Sequence, residues 1–477
     1  MYGQHRYLAL PTLKAAQLLL RPPPPPRAAL SASLTSLTAR AYSTFKMPYE
    51  ARQLTINAKR LNDTIHETCE WGAAHRWGDA PTETGMCRLA LSDDDKLVRD
   101  WFVKEMKSLG CEVKIDQMGS IFAIRKGKKD GPPTAMGSHL DTQPTGGRYD
   151  GILGVQSAVE AMRTIHEAGL VTEFPIAVVN WTNEEGARFP KSLHASCVWS
   201  GELTLEDAYA LCDVANPGVS AGAELDRIGY KGSVPASHKA NPLAAHFELH
   251  IEQGPVLESH NQRVGVVQGG QAYKWFTIRV NGRDSHAGTT PFDYRADPML
   301  AASQFIVAAH QIAKEHHGLA TTGIFHLQPG SINTIPNVVE FTLDIRHVDD
   351  AQLALIEKAI REASDKIAAN DNARYKCSID WEVLFDNPAT KFHPLCTGAV
   401  EKAACASVPS EQVRKIVSGA GHDSCATSRI CPTGMVFIPC REGLSHNPRE
   451  YSTPEDCALG AQVLMDAALL FDSQRTA

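Results

Sequence analysis

The stretch Gly137-Ser-His-Leu-Asp-Thr-Gln-Pro-Thr-Gly-Gly-Arg-Tyr-Asp-Gly151 places one histidine and two aspartates within twelve residues, among glycines and after an apolar run. Imidazole nitrogens and carboxylate oxygens hold borderline metals such as zinc at roughly 2.0–2.2 Å. Glycine permits the tight turns that gather such side chains. His139 and Asp150 therefore read as metal ligands. Asp141 lies two residues beyond His139, on the same face of an extended segment, where it is expected to orient the imidazole from behind. An isolated H-x-D is usually an ordinary loop histidine; further ligand-type clusters along the chain lift this one above that reading.

Around this stretch the pattern alternates between strands and helices. Thr134–Met136 reads as a strand, Leu153–Ala168 as a helix, and Pro175–Trp181 as a buried strand running straight into Asn183-Glu-Glu-Gly186. Such alternation predicts an α/β sheet with its chemistry at the carboxyl ends of the strands. Upstream, residues 50–110 look mainly helical. Leu97, Trp101, Phe102, Met106 and Leu109 recur at helical spacing, and Gly110 is a stop signal. Short strands follow at Cys111–Ile115 and Ser120–Ile124. The middle of the chain changes character. Strands at Trp275–Val280, Thr321–Leu327, Val338–Arg346 and Cys377–Leu384 interleave with helices at Pro298–Glu315 and Ala351–Ala369. The order β-α-β-β-α-β is the ferredoxin-like arrangement. The chain thus divides into a catalytic α/β domain at 47–272, an inserted α+β domain at 273–387, and a return to the first domain at 388–477, ending in a helix from Pro454 to Phe471.

Composition narrows the function classes. A 477-residue chain with 43% hydrophobic and 21% charged residues has room for two or three domains with large cores. No apolar run of about 18 residues suggests a membrane span. The first 46 residues hold six Lys/Arg, eight Ser/Thr and no Asp or Glu. That is the signature of a mitochondrial transit peptide or, failing that, of a disordered extension; Met47 offers an alternative, cytoplasmic start. Without this segment, 41 basic residues face 54 acidic ones. A chain so acidic has no global attraction to nucleic acid or an anionic membrane. The twelve cysteines show no C-x-x-C spacing and read as reduced thiols. Cys425, beside other candidate residues, reads as packing before it reads as a nucleophile.

The remaining clusters carry the chemistry. Paired glutamates are usually solvated surface, but Ile176-Ala-Val-Val179 before Glu184 and Glu185 argues against that here. Neighbours on an extended backbone point apart, so one can bind metal while the other acts on water. His250, in Phe247-Glu-Leu-His-Ile-Glu-Gln-Gly-Pro255, taken singly reads as a satisfied core histidine. His446, in Gly443-Leu-Ser-His-Asn-Pro-Arg-Glu450, raises the same question. Together, three histidines, an aspartate and a glutamate after strands supply the ligand count for two zincs sharing a carboxylate.

With these runs in order, and with Gly282-Arg-Asp-Ser-His-Ala-Gly-Thr-Thr-Pro291 and Gly419-Ala-Gly-His-Asp423 between them, the chain resembles one family. This is the amidase/hydantoinase/carbamoylase branch of the binuclear-zinc aminoacylase–carboxypeptidase superfamily. Its likeness is greatest to the fungal β-ureidopropionases (β-alanine synthases), with the N-carbamoyl-L-amino-acid hydrolases next. The resemblance implies a zinc-exopeptidase-like catalytic domain, with a mixed sheet flanked by helices, and an inserted dimerisation or lid domain. It implies two Zn2+ per subunit, with Mn2+, Ni2+ or Co2+ as substitutes, on His139, Asp150, Glu185, His250 and His446, and Asp150 bridging. Glu184 is implied as general base, with Asp141 supporting the catalytic set. His286 is implied as an oxyanion donor reaching into a partner subunit's site, and hence a homodimer. Gln253, Asn333, Arg346 and His422 are implied as substrate-binding. The implied reaction converts an N-carbamoyl amino acid, of β-alanine or of an L-amino acid, to the amino acid, CO2 and NH3. Allantoate amidohydrolase and dipeptidase or aminoacylase activity are the alternatives within the superfamily, and an inert scaffold is the alternative outside it.

Overall fold

The computed structural model describes residues 54–369 and 373–475. The transit-peptide reading of residues 1–46 and the alternative start at Met47 lie outside them. The chain opens with α1 (Ala58–Thr68), followed by a two-stranded hairpin of Ala73–Arg76 and Thr84–Met86, then α2 (Asp93–Ser108). The expectation of mainly helical structure over 50–110 holds for α1 and α2 and misses the hairpin between them. The hairpin segments are too short to show a period, and they are held by pairing with each other and by a bridge from Met86 to Gly146. α2 begins where Ser92 accepts the Asp95 N–H, with three aspartates in its first turn, and stops before Gly110 at φ +77°. These are the caps that the unpaired helix-end groups and the macrodipole favour.

Four strands build the sheet up to the site: β1 (Glu112–Ile115), β2 (Ile121–Arg125), β3 (Thr134–His139) and, after α3 (Ile152–Glu167), β4 (Ile176–Trp181). β5 (Ala245–Ile251) and β6 (Val264–Gly270) follow, and the chain then leaves this sheet. It forms β7 (Ala272–Asn281), α4 (Pro298–Glu315), β8 (Leu319–Thr321), β9 (Phe325–Gln328), β10 (Val338–His347), α5 (Asp350–Ala369) and β11 (Ser378–Asn387). It returns with β12 (Thr390–Lys391), α6 (Pro394–Ser407), β13 (Val413–Ser418), β14 (Thr433–Ile438) and α7 (Pro454–Gln474).

The first sheet has nine strands in the order β12-β6-β14-β5-β3-β4-β2-β1, with β13 also paired to β6. Its centre, β14-β5-β3-β4, is parallel. All four of these strands are buried along their whole length, as expected when helices cover both faces. Packing is close enough to demand glycine at two points. A Cβ on Gly137 would lie 2.1 Å from the Val179 carbonyl oxygen on β4, and one on Gly154 of α3 would lie 2.5 Å from the Leu249 carbonyl oxygen on β5. The buried Arg99 ties α2 to the sheet. It bonds Asp95 on its own helix, the Gly119 carbonyl, and the Thr182 hydroxyl just past β4.

The second sheet is antiparallel, in the order β8-β10-β7-β11, and β9 also pairs with β10. This is the β-α-β-β-α-β order read from the sequence, with the expected second strand broken into β8 and β9 along one neighbour. β10 alternates strictly between buried and half-buried residues. Its Phe341, Leu343 and Ile345 join Phe276 and Ile278 of β7, Phe305 of α4 and Ile356 of α5 in a separate core. Among the described residues, no helix is long and apolar enough to cross a membrane.

Replacing Gly137 by alanine forces Cβ into the β4 backbone, which has no rotamer to yield. The expected cost is about 3 kcal/mol, read as a fall in the denaturant midpoint at unchanged m-value.

Candidate metal centre

The carboxyl ends of four adjacent parallel strands deliver the site. His139 ends β3, His250 lies one residue from the end of β5, Glu184 and Glu185 follow β4, and His446 follows β14. Asp150 sits in the turn between β3 and α3. Two triads of ligand atoms result, His139 with Asp150 and His250, and Asp150 with Glu185 and His446; within each, the atoms lie within 4.8 Å of one another. Asp150 belongs to both through different oxygens. Its Oδ1 is 3.0 Å from His250 Nε2 and 3.6 Å from His139 Nε2. Its Oδ2 is 3.4 Å from His446 Nε2, which is also 3.4 Å from Glu185 Oε2.

The donor set fits divalent cations. His139 Nδ1 meets the Asp141 carbonyl oxygen at 2.9 Å, and His250 Nδ1 meets the Ile251 carbonyl oxygen at 2.9 Å. A carbonyl only accepts, so both rings carry their proton on Nδ1 and leave Nε2 as an acceptor, that of His139 facing Asp150 and that of His250 taking the Gly151 N–H at 3.2 Å beside Asp150 Oδ1. His139 Nε2 is buried and has no hydrogen-bond partner among the described residues. The surrounding charge also calls for a cation. Among the described residues, the ion-pair partners of Asp150, Glu184 and Glu185 are histidines. Burial pushes Glu185 up to about 7, with Asp150 adding to the shift. Burial likewise drives Glu184 well above the usual carboxylate range, against the pull of His139. His446 rises to about 9 through its bond to Asp150.

Asp141 has a different contact from the one expected. Its carbonyl, not its carboxylate, holds the His139 ring. The carboxylate oxygens instead accept the N–H groups of Glu184 and Glu185, each at 3.3 Å. The Asp141 carbonyl reaches the ring at 2.9 Å, leaving the side chain to fix the loop that bears both glutamates. His422 also differs from expectation. It is 2% exposed, bonds Ser418 Oγ at 2.9 Å, and packs its ring 4.6 Å from that of His250. Burial and the neighbouring His250 lower it to about 3. It backs a ligand imidazole and does not face the cleft. Cys425 is buried, and burial pushes its thiol up to about 12, which suits packing.

Gln253 joins the cluster, donating from Nε2 to Asp150 Oδ2 at 2.8 Å. It lines a cleft of about 620 Å³ with Ser445, His446, Gln271, Gly419 and Ala420. The hydrogen bonds of His286, Asn333 and Arg346 do not join them to the two triads. His286 is exposed; its Nδ1 accepts the Gly288 N–H at 3.1 Å, so Nε2 carries the proton. It pairs with Thr334, next to Asn333, whose carbonyl accepts the Ala287 N–H. Arg346 donates to the Gly419 carbonyl at the cleft wall, but its guanidinium is paired with Asp344 at 2.7 Å. A substrate carboxylate would have to compete with Asp344 for it.

Sequence reading passed over four supporting residues. Gln143 grips Glu185 with its backbone N–H at 3.1 Å and its side-chain amide at 2.8 Å. Glu450 Oε1 accepts the N–H groups of Tyr149 and Asp150, and Ser445 donates within reach of Asp150 and Glu450. Glu248, fully buried on β5, accepts from Ser138 and the Ser424 N–H. The last had a signal: His246, Glu248 and His250 share one face of an otherwise apolar strand. Three non-glycine residues at the site, Asn183, Gln253 and His446, are in the left-handed region at φ +54° to +57°. Such conformations concentrate where side chains must be aimed.

Gly151, at φ +66°, has no room for a Cβ, which would meet His139 Cε1 at 2.2 Å. Gly151→Ala is therefore expected to weaken divalent-cation binding about tenfold or more, measured by equilibrium dialysis, with the protein still folded by circular dichroism.

Residues 135–470 match the profile of Peptidase family M20/M25/M40. The chain is 40% identical over 420 residues to an N-carbamoyl-L-amino-acid amidohydrolase of Rhizobium meliloti, covering 87% of this chain and 96% of that protein. It is 32% identical to a ureidoglycolate hydrolase of Arabidopsis thaliana, over 87% of this chain and 86% of the other. The crystal structure of a hydantoinase/carbamoylase family amidase from Burkholderia multivorans superposes with a TM-score of 0.81 at 42% identity, covering 89% of this chain and all of that one. With two groups of side chains able to hold a metal ion at the ends of the central strands, the chain belongs to Peptidase family M20/M25/M40, a metal-dependent hydrolase family.

Proposed function

We propose that the protein hydrolyses N-carbamoyl amino acids, consuming one water per substrate and releasing the amino acid, CO2 and NH3, with zinc at both triads. The observation that carries this reading is Asp150, whose two oxygens face two separate ligand sets. The amidohydrolase relatives, alike over nearly their full length, support the substrate class. Bound at the two triads, divalent cations supply Lewis acidity that polarises a carbonyl and makes water easier to deprotonate.

The residues of the chain account for the rest. Glu184 Oε2 lies 3.5 Å from His139 Nε2, at the rim of the first triad. Its raised pKa suits a group that takes a proton from water and returns it to the departing nitrogen. Gln253, whose two N–H groups are spent on Asp150 and Ser445, offers its unpaired Oε1 as an acceptor for the ureido N–H groups, and Arg346 offers a guanidinium for the carboxylate end; a planar guanidinium does that job better than lysine. His286, with its proton on Nε2, has the form of an oxyanion donor. The hydrogen bonds of His286 join it to neither triad of its own chain, and a homodimer in which it serves the partner's site would give it that role. Exposed apolar side chains on the second-sheet region, Phe292, Leu300, Val307 and Ile332, support an association surface there. Ureidoglycolate is a second reading, favoured by the plant relative, since it too joins a ureido group to a carboxylate.

Zinc-loaded protein is expected to release ammonia from N-carbamoyl-L-amino acids or N-carbamoyl-β-alanine, in a panel that also holds ureidoglycolate, allantoate and dipeptides. Turnover of dipeptides alone would refute the proposal. Glu184→Gln should lower kcat by about 10²–10⁴-fold while binding as much zinc as the wild type. Mixing the inactive His286→Ala and Glu184→Gln proteins under subunit exchange should restore part of the activity, because one hybrid site is then intact. If mixing restores nothing, His286 does not act across subunits.

A further inference from the structure

Each triad has a ligand atom already engaged: in the first, His250 Nε2 accepts the Gly151 N–H at 3.2 Å, whereas in the second the engaged atom is a carboxylate oxygen held by two side-chain donors. Asp150 Oδ2 already accepts two hydrogen bonds, from Gln253 Nε2 at 2.8 Å and from Ser445 Oγ at 2.8 Å. A carboxylate oxygen offers about two lone-pair positions, so both are taken on the side facing Glu185 and His446. The Gln253 amide must point its nitrogen this way, since its other face would set a carbonyl oxygen against the carboxylate. That nitrogen also donates to Ser445 Oγ at 3.0 Å. Ser445 therefore has one proton left and two carboxylates to give it to: Asp150 Oδ2 at 2.8 Å and Glu450 Oε2 at 3.0 Å. Asp150 Oδ1, by contrast, faces the Nε2 atoms of His139 and His250. The first triad is buried throughout, while the His446 side chain in the second is 50% exposed.

Building on the two-triad reading, we propose that Ser445 is a two-position hydroxyl gating the second cation, freeing Asp150 Oδ2 by turning its proton to Glu450. The proton stays on the serine; only the hydroxyl rotates. Glu450 Oε1 meanwhile keeps the Tyr149 and Asp150 N–H groups, so the loop carrying Asp150 need not move. Two consequences follow. The first triad fills before the second, and the gap between the two affinities is set by Ser445 and Glu450, neither of which needs to touch a cation.

Zinc titration of the full-length protein by equilibrium dialysis, with metal quantification, tests this without reference to activity. The wild type should bind two ions in separate steps. Ser445→Ala should tighten the second step about tenfold and leave the first unchanged, because a donor competing for a charged oxygen has gone. Glu450→Gln must keep its amide oxygen on the two N–H groups. Its NH2 then faces Ser445, leaving the hydroxyl only Asp150 as acceptor, and the second step should weaken about tenfold. In the Ser445→Ala/Glu450→Gln double variant that weakening should vanish. An unchanged second step in Ser445→Ala overturns the proposal. So does a Glu450→Gln effect that weakens both steps and persists in the double variant, which is the mark of a structural role alone. If the wild type binds no zinc, the two-triad reading itself fails and the proposal falls with it.

Discussion

One carboxylate, shared between two ligand sets, organises this molecule. Asp150 can face His139 and His250 with one oxygen and Glu185 and His446 with the other only if its backbone is fixed from outside both sets. Glu450, three hundred residues on in the chain, does this through two N–H bonds. Gly151 follows in a conformation that side chains disfavour and lets the His139 ring lie directly against the turn. Each support comes from a different strand end. The centre therefore exists only when the parallel order β14-β5-β3-β4 is complete, and the fold and the site are one cooperative structure.

Electrostatics explains why so many polar groups are buried there. Asp141, Asp150, Glu184, Glu185 and Glu248 bring carboxylates into a water-poor region, a costly arrangement unless compensated. Two kinds of compensation are present. Backbone and side-chain donors satisfy individual oxygens: N–H groups on Asp141 and Glu450, Gln143 on Glu185, and Ser138 on Glu248. The histidines face the oxygens that remain, and carbonyl groups on the far side of the His139 and His250 rings fix which nitrogen is free. What is left over is negative charge at two points, which is what a pair of divalent cations requires.

The groups proposed to contact substrate are less fully assembled. Arg346 is paired with Asp344, and His286 stands exposed beside Asn333 on the second sheet's side of the molecule. The two triads are assembled within the first sheet, whereas Arg346 lies on β10 of the second sheet and His286 on a short two-strand pair with Thr334. That division suits an enzyme in which one part supplies the reactivity and another grips the substrate.

Much of this was legible in the sequence. His139, Glu184, Glu185 and His250 stand out because each is a polar ligand type at or just past the end of an apolar run, and Asp150 and His446 because each sits in a polar, glycine-containing loop after one. The β-α-β-β-α-β segment shows because period-2 and period-3.6 patterns survive in its strands and helices. The hairpin before α2 did not show, since three- and four-residue strands carry no period. Glu450, Ser445 and Gln143 were passed over because their roles lie in which backbone N–H or oxygen they reach, a matter of position across the chain. The sequence by itself determined the ligand types, their order and the strand ends that carry them, because hydrophobic periodicity and local turn chemistry are written in neighbouring residues. Only the tertiary structure decided which oxygen of Asp150 faces which triad, that the Asp141 carbonyl and not its carboxylate orients His139, and that His422 packs against the His250 ring. Those outcomes depend on ångström-scale distances between groups far apart in the chain, which spacing along it does not encode.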